Sequence, residues 1–185
     1  MKLHPIEIEG ALKTMRILVD TREHPTERAK KRWESFGVPY ERAALKSGDY
    51  SAIFTLPDGS DYDMRSICVI ERKMSFGEIC NNFCQQRKRF IAEFERLKEA
   101  GAKCYLLIEG ATWERAYNGE YHSQMKPQAL IASLTAWLAR YDCIPIFCKA
   151  ETTSKLIREI LYREAKERLT ELEVENEQQG NCSGD

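Results

Sequence analysis

No run of apolar residues in this sequence approaches the roughly 20 that a bilayer-spanning helix needs, so a membrane protein of that kind is not expected. The first ten residues, MKLHPIEIEG, lack the apolar centre of a secretory signal. Cysteine occurs without a pairing pattern. Cys68, Cys80, Cys84, Cys104, Cys143, Cys148 and Cys182 stand singly, several inside apolar runs. That reads as reduced thiols in a cytosol and not as a disulfide framework, so a cytoplasmic protein is expected. Cys80 and Cys84 lie one helical turn apart, but no second Cys/His pair at ligand spacing accompanies them, and buried thiols are the reading. Histidine is scarce, with His4, His24 and His122 isolated. Without a G-x-x-x-x-G-K-[ST] loop, neither an ATP-driven step nor a nucleotide cofactor is expected. A strong charge of either sign is missing as well, since the formal net charge is −1. That figure hides an asymmetry, because residues 164–185 hold seven acidic side chains against two basic ones. A mildly basic body with an acidic tail permits nucleic-acid binding without demanding it.

What is present is enough apolar residue, 43% of 185, to bury a core, and the length suits one domain. Met15–Asp20 is a short apolar run ending in a charge, the pattern of a buried strand. Thr26–Phe36 reads as a helix with Thr26 as N-cap and Gly37 as its stop. Val38–Leu45 is a second strand, and Ser51–Leu56 and Tyr62–Glu71 are two more joined around Pro57-Asp58-Gly59. Ser75 caps a long helix running to about Ala100. Lys103–Glu109 is a buried strand, Pro127–Tyr141 a helix, Ile144–Phe147 a short strand, and Thr153–Leu169 an amphipathic helix. The order gives an α/β fold with a mixed central sheet flanked by helices. Residues 1–13 are expected as a loose leader, 14–169 as the domain, and 170–185 as an acidic tail without structure.

The chemistry concentrates at strand ends. Asp49 follows Gly48 at the entry to one strand, and Glu71-Arg72-Lys73 ends another. Glu71 and Lys73 are two apart, so period-two alternation puts both on one face. Two carboxylates and an amine meeting there suit hydrolysis of a phosphodiester with a divalent metal, which carboxylates hold and which activates a bound water. The lysine then orients that water or steadies the pentavalent phosphorus. Asp20 and Glu23 add two acids beside Arg22, with solvated strand-end charge as the plainer alternative. The helix after Lys73 carries Arg87-Lys88-Arg89, either a phosphate-binding face or ordinary solvated charge, while Phe83, Phe90, Phe94 and Leu97 are expected in the core. Asp58, Asp61 and Asp63 lack the glycine and terminal glutamate of a calcium loop and read as a polar turn.

Three segments together, Val19-Asp20-Thr21-Arg22-Glu23, Leu45-Lys46-Ser47-Gly48-Asp49-Tyr50 and Val69-Ile70-Glu71-Arg72-Lys73, resemble the three ordered motifs of the XPF-type nuclease domain, V-D-x-R-E, G-D-Y/F and E-R-K-x-x-x-D. The resemblance covers about Met15 to Phe147. It implies a restriction-endonuclease-like core and a Mg²⁺- or Mn²⁺-dependent endonuclease for branched or flapped DNA. It also implies Asp49 and Glu71 as metal ligands and Lys73 as the catalytic lysine, with Asp20 and Glu23 in the same acidic site and Asp20 counted with the metal ligands. Arg22 and Arg72 are implied to contact phosphate or to brace the carboxylates. One position departs: where the family has an aspartate four residues after the lysine, this chain has Gly77, so that either Glu78 substitutes or the group is dispensable. No paired-glycine hairpin follows Phe147, as expected of a stand-alone bacterial or phage domain. The rival readings are a catalytically weak DNA-binding relative and a nuclease of broader substrate range. The apolar content of the last two helices, including Trp137, Leu138, Ile157, Ile160 and Leu161, exceeds what one sheet face needs, and a homodimer is expected from it.

Overall fold

The computed structural model describes residues 3–181. Its elements run α1 (Pro5–Leu12), β1 (Arg16–Asp20), α2 (Glu27–Glu34), β2 (Tyr40–Ala43), β3 (Tyr50–Thr55), β4 (Asp61–Asp63), β5 (Cys68–Lys73), α3 (Phe76–Cys84), α4 (Arg87–Glu99), β6 (Lys103–Glu109), α5 (Trp113–Asn118), α6 (Pro127–Tyr141), β7 (Ile144–Cys148) and α7 (Thr153–Asn181). The strands form one sheet in the order β2-β1-β3-β5-β6-β7, with β4 on β3. Pairing is parallel for β1–β2, β5–β6 and β6–β7, and antiparallel where β3 meets β1, β4 and β5. The mixed sheet expected from the sequence is the one observed.

Because β3 opposes both β1 and β5, the C-terminal ends of β1, β5, β6 and β7 lie along one sheet edge with the start of β3. Asp20, Asp49, Lys73 and Glu109 therefore collect at that edge although 89 positions separate the first from the last. The two faces bury separate cores. Leu12 of α1, Trp33 of α2 and Leu161 of α7 pack with Ile17, Val19, Ile70 and Leu107 of the sheet. Phe83 of α3, Phe90 and Phe94 of α4 and Trp137 of α6 pack with Val69, Leu106 and Ile108.

Several boundaries differ from expectation. Within the expected leader 1–13, of which residues 1–2 lie outside the described residues, 3–13 are not loose: Pro5 starts α1, Glu7 accepts from the His4 backbone N–H at 2.7 Å, and Leu3, Ile8, Ala11 and Leu12 are buried. The acidic stretch from 170 onward continues α7 to Asn181, and 182–185 lie outside the described residues. The expected strand Tyr62–Glu71 is two strands that share one side of β3, because a turn intervenes in which the Cys68 N–H donates to the Met64 carbonyl at 2.9 Å.

The expected helix 75–100 is likewise two, since the Gln85 and Gln86 N–H groups both return to the Asn81 carbonyl, at 2.9 and 3.1 Å. In one straight helix Phe83 and Phe90 would stand ~10 Å apart along the axis. The bend brings their rings to 6.0 Å and lets Phe90 stack on Trp137 at 4.5 Å. Trp137, Ile157 and Leu161 are buried in the protein's own cores, leaving Leu138 and Ile160 only half-buried, and α6 and α7 serve different cores.

Candidate active site

The sheet edge opens into a cleft of about 380 Å³, lined by Asp49, Glu71 and Lys73 at its floor. Period-two alternation along β5 sends Glu71 and Lys73 toward α3 and α4 and sends Arg72 to the other face. Asp49 reaches the same floor through Gly48, whose φ of +79° a side-chain-bearing residue rarely adopts. A Cβ at position 48 would also lie 2.9 Å from the Cβ of Val69. Glycine there lets the chain cross β5 closely, and the Asp49 N–H then donates to the Ile70 carbonyl at 2.9 Å. The Arg72 N–H donates to Asp49 Oδ2 at 2.8 Å.

Lys73 Nζ donates to Glu71 Oε1 at 2.5 Å, stands 3.8 Å from Glu78 Oε1 and lies 5.2 Å from the centre of the Phe90 ring. Glu71 Oε2 is buried and has no hydrogen-bond partner among the described residues. Burial pushes the Asp49 carboxyl up to about 6, with Lys73 and the Arg72 N–H pulling partly the other way. Burial and the neighbouring Asp49 charge hold Glu71 well above the ordinary glutamate value. Burial acts to lower the Lys73 ammonium, but Glu71 and Asp49 outweigh it and hold the group above the usual lysine range.

The other expected residues sort by face. Glu23 lines the cleft on the α2 side, where its carboxylate accepts from Arg32 at 2.8 Å and from the Tyr50 hydroxyl at 3.2 Å. Asp20 does not line the cleft. Its carboxylate accepts from Arg22 Nε and Nη2, both at 2.9 Å, and from the Leu45 N–H at 3.1 Å. Those bonds outweigh burial and keep its pKa below the usual value. Asp20 is thus placed to hold Arg22, and both of its oxygens already accept hydrogen bonds. Arg22 lines the cleft with about half its side chain exposed. Arg72 is buried, lines the cleft and braces a carboxylate, Glu109, one of the two roles implied for it. Of the basic triplet only Arg89 lines the cleft; Arg87 leans back on the Phe83 carbonyl at 3.4 Å, and Lys88 is exposed away from it.

Glu93 and Arg28 line the cleft without having been singled out. The signal for Glu93 was available, because it interrupts the stripe of Phe90, Phe94 and Leu97 and is buried with them. Its nearest ion-pair partner is Arg22 at 3.9 Å. Arg28 gave no such signal on an exposed face of a short helix. Gly77 also acquires a reason, since a Cβ there would lie 2.8 Å from the His122 carbonyl oxygen. The neighbouring Glu78 caps the turn instead, accepting from the Met74 N–H at 2.8 Å.

The profile of the ERCC4 domain matches residues 19–160, which include every one of these groups. The chain belongs to the ERCC4 domain family. Among solved structures, this ERCC4 domain is similar to XPF from Aeropyrum pernix, with 20% identity and a TM-score of 0.56 over 79% of this chain and 59% of that one. It is similar also to XPF from Aeropyrum pernix in complex with DNA, with 23% identity and a TM-score of 0.56 over 83% and 66%. The ERCC4 domain therefore spans less than two thirds of the XPF chains it resembles. No curated protein matches it. The likeness establishes the restriction-endonuclease-like fold expected from the three motifs. Among the described residues no helix is long and apolar enough to cross a membrane.

Proposed function

We propose that this ERCC4 domain is an endonuclease that hydrolyses phosphodiester bonds of branched DNA (flaps, forks or junctions) with Mg²⁺ or Mn²⁺. The observation that supports it is the buried, partnerless Glu71 Oε2 beside Asp49 and the Lys73 ammonium in an open cleft. A buried carboxylate oxygen without a partner is costly unless something binds it. Asp49 Oδ1, which accepts no hydrogen bond from the described residues, is the second free oxygen at the floor. Among the described residues no three His, Cys, Asp or Glu side chains form a ready cage. A hard cation can be held by one or two carboxylates plus substrate phosphate, and here those would be Asp49 and Glu71. When bound, such an ion offsets phosphate charge and lowers the pKa of a bound water. Lys73, an ammonium at neutral pH, contributes a fixed charge toward the developing negative charge on phosphorus. Arg22, held rigid by Asp20, and Arg89 contact the phosphate chain.

The test is a panel of duplex, single-stranded, flap, fork and four-way DNA with Mg²⁺, Mn²⁺ or EDTA. Cleavage of branched forms with either metal and none in EDTA is expected; so is complete loss in Asp49→Asn and Glu71→Gln with DNA binding kept. Binding without cleavage under every condition would favour the catalytically weak relative, which the side-chain-free position 77 supports. A homodimer would place two such clefts on one branched duplex. Light scattering tests it: a mass near twice 21.4 kDa is expected, and the monomer value rejects it.

A further inference from the structure

On the α2 side of the sheet edge, five charged side chains form one connected network. Arg72 Nε and Nη2 donate to the two oxygens of Glu109 at 2.8 and 2.9 Å, and the Thr153 hydroxyl donates to Glu109 Oε1 at 2.8 Å. Arg32 holds Glu23 at 2.8 Å, and Arg72 lies 3.8 Å from the same carboxylate. Arg28 Nη2 donates to Glu109 Oε2 at 3.2 Å. Three guanidinium groups thus face two carboxylates, and buried Arg72 with the mostly covered Arg32 suffices to neutralise both. The surplus positive charge belongs to Arg28, whose side chain is 64% exposed at the cleft wall. Among the described residues its other N–H groups have no hydrogen-bond partner and can donate outward, while the bond to Glu109 directs it.

We propose that Arg28 is a phosphate-binding residue for the nucleic acid backbone, standing on the opposite wall from Arg89. This rests on the nuclease reading above and deepens it. A phosphodiester oxygen pair is the ligand that a fixed, exposed guanidinium with spare donors recognises best. Arg89 belongs to α4 on one face of the sheet and Arg28 to α2 on the other. A strand touching both crosses the sheet edge over Asp49 and Glu71 and does not run along it. The scissile phosphate is then held from both sides while its neighbours take the arginine contacts. Sequence information does not enter, because these are backbone contacts.

The experiment uses the full chain, a fluorescein-labelled forked duplex and EDTA, so that binding is read without cleavage. Anisotropy titrations between about 50 and 200 mM salt give the slope of log K against log salt. Arg28→Ala should reduce the slope by about 0.7–0.9, the value for one phosphate contact, Arg89→Ala by a similar amount, and the double variant by about twice that. Lys30→Ala removes a charge from the same helix outside the cleft and should leave the slope unchanged. Melting temperatures report whether each variant folds, and Arg28→Lys, which keeps the charge, should recover most of the slope if folding is intact. An Arg28→Ala slope equal to wild type, or a Lys30→Ala loss as large, overturns this assignment and leaves the nuclease reading standing. Failure of the wild-type protein to bind any DNA overturns both.

Discussion

Arg72 stands between Glu71 and Lys73 in β5, yet its guanidinium lies on the other face of the sheet, joined to the Glu109 carboxylate of β6 by two bonds of 2.8 and 2.9 Å. Burial acts to lower the arginine and raise the acid, and in each the bonds win: Arg72 is held above, and Glu109 below, its ordinary pKa. The pair therefore stays charged and clamps the strand carrying the two candidate catalytic side chains. Its backbone serves the same end, because the Arg72 N–H fixes Asp49.

Removing one member of such a pair leaves the other charged and buried. Arg72→Ala should cost about 3–5 kcal/mol in denaturant unfolding, and Arg72→Lys should recover only part of it, because one ammonium cannot reproduce a two-bond fork. A loss below about 1 kcal/mol would show the pair to be no more than a surface contact.

The Asp49 carboxyl gives stability a pH dependence of known sign. Its folded value of about 6 lies above the ordinary 3.8. The protonated form thus favours the fold, a contribution complete below about pH 3.8 and lost as pH rises through about 6. The gap, at about 1.4 kcal/mol per tenfold change in acidity, corresponds to about 3 kcal/mol. In EDTA, Asp49→Asn should match the wild-type protein near pH 4 and exceed it in stability near pH 7.5, and added Mg²⁺ or Mn²⁺ should narrow that difference by stabilising the wild type alone. Parallel stability curves from pH 4 to 8 would refute the assignment.

Much of this site was legible because its signals are local. Glycine before Asp49 and the Glu71-x-Lys73 alternation follow from backbone geometry, and Lys103–Glu109 and Pro127–Tyr141 match their elements to the residue. Contacts between distant segments were not legible. Nothing near Arg72 announces Glu109, and nothing near Asp20 announces the Leu45 N–H from which its carboxylate accepts. The bend at Gln85-Gln86 carries no glycine or proline, since it is set by the packing of Phe83, Phe90 and Trp137. The helix at Pro5–Leu12 had readable apolar spacing, but eight residues make a helix only when something covers them.

That cover is α7 and the sheet, and it makes α1 part of the fold. Leu12 is 2% exposed in the core that also holds Leu161 and Leu169. Leu12→Ala should destabilise the protein by about 2–5 kcal/mol, measured by the denaturant midpoint. Deletion of residues 1–13 should do more. A change of a few tenths of a kcal/mol would return the segment to the loose leader first expected.

Lys73 and Glu78 separate a chemical role from a supporting one. Lys73 is held by Glu71 at 2.5 Å and flanked by Glu78 at 3.8 Å. Lys73→Ala removes the only ammonium at the cleft floor among the described residues, and the cleavage rate at saturating DNA should fall by about 10²–10³, the scale for one positioned electrostatic group. DNA affinity in EDTA should change little, since the side chain is buried and mostly committed to Glu71. Glu78 touches the turn at Met74 and only brushes the lysine, so Glu78→Gln keeps an acceptor for the Met74 N–H while losing one charge. Its rate should fall by less than about tenfold, the range of a weak surface electrostatic contribution of up to about 1 kcal/mol. If Glu78→Gln were as damaging as Lys73→Ala with folding intact, Glu78 would be doing the work of the carboxylate that Gly77 cannot carry. If Lys73→Ala lowered only DNA affinity, the lysine would be a backbone contact and the floor would lack its fixed charge.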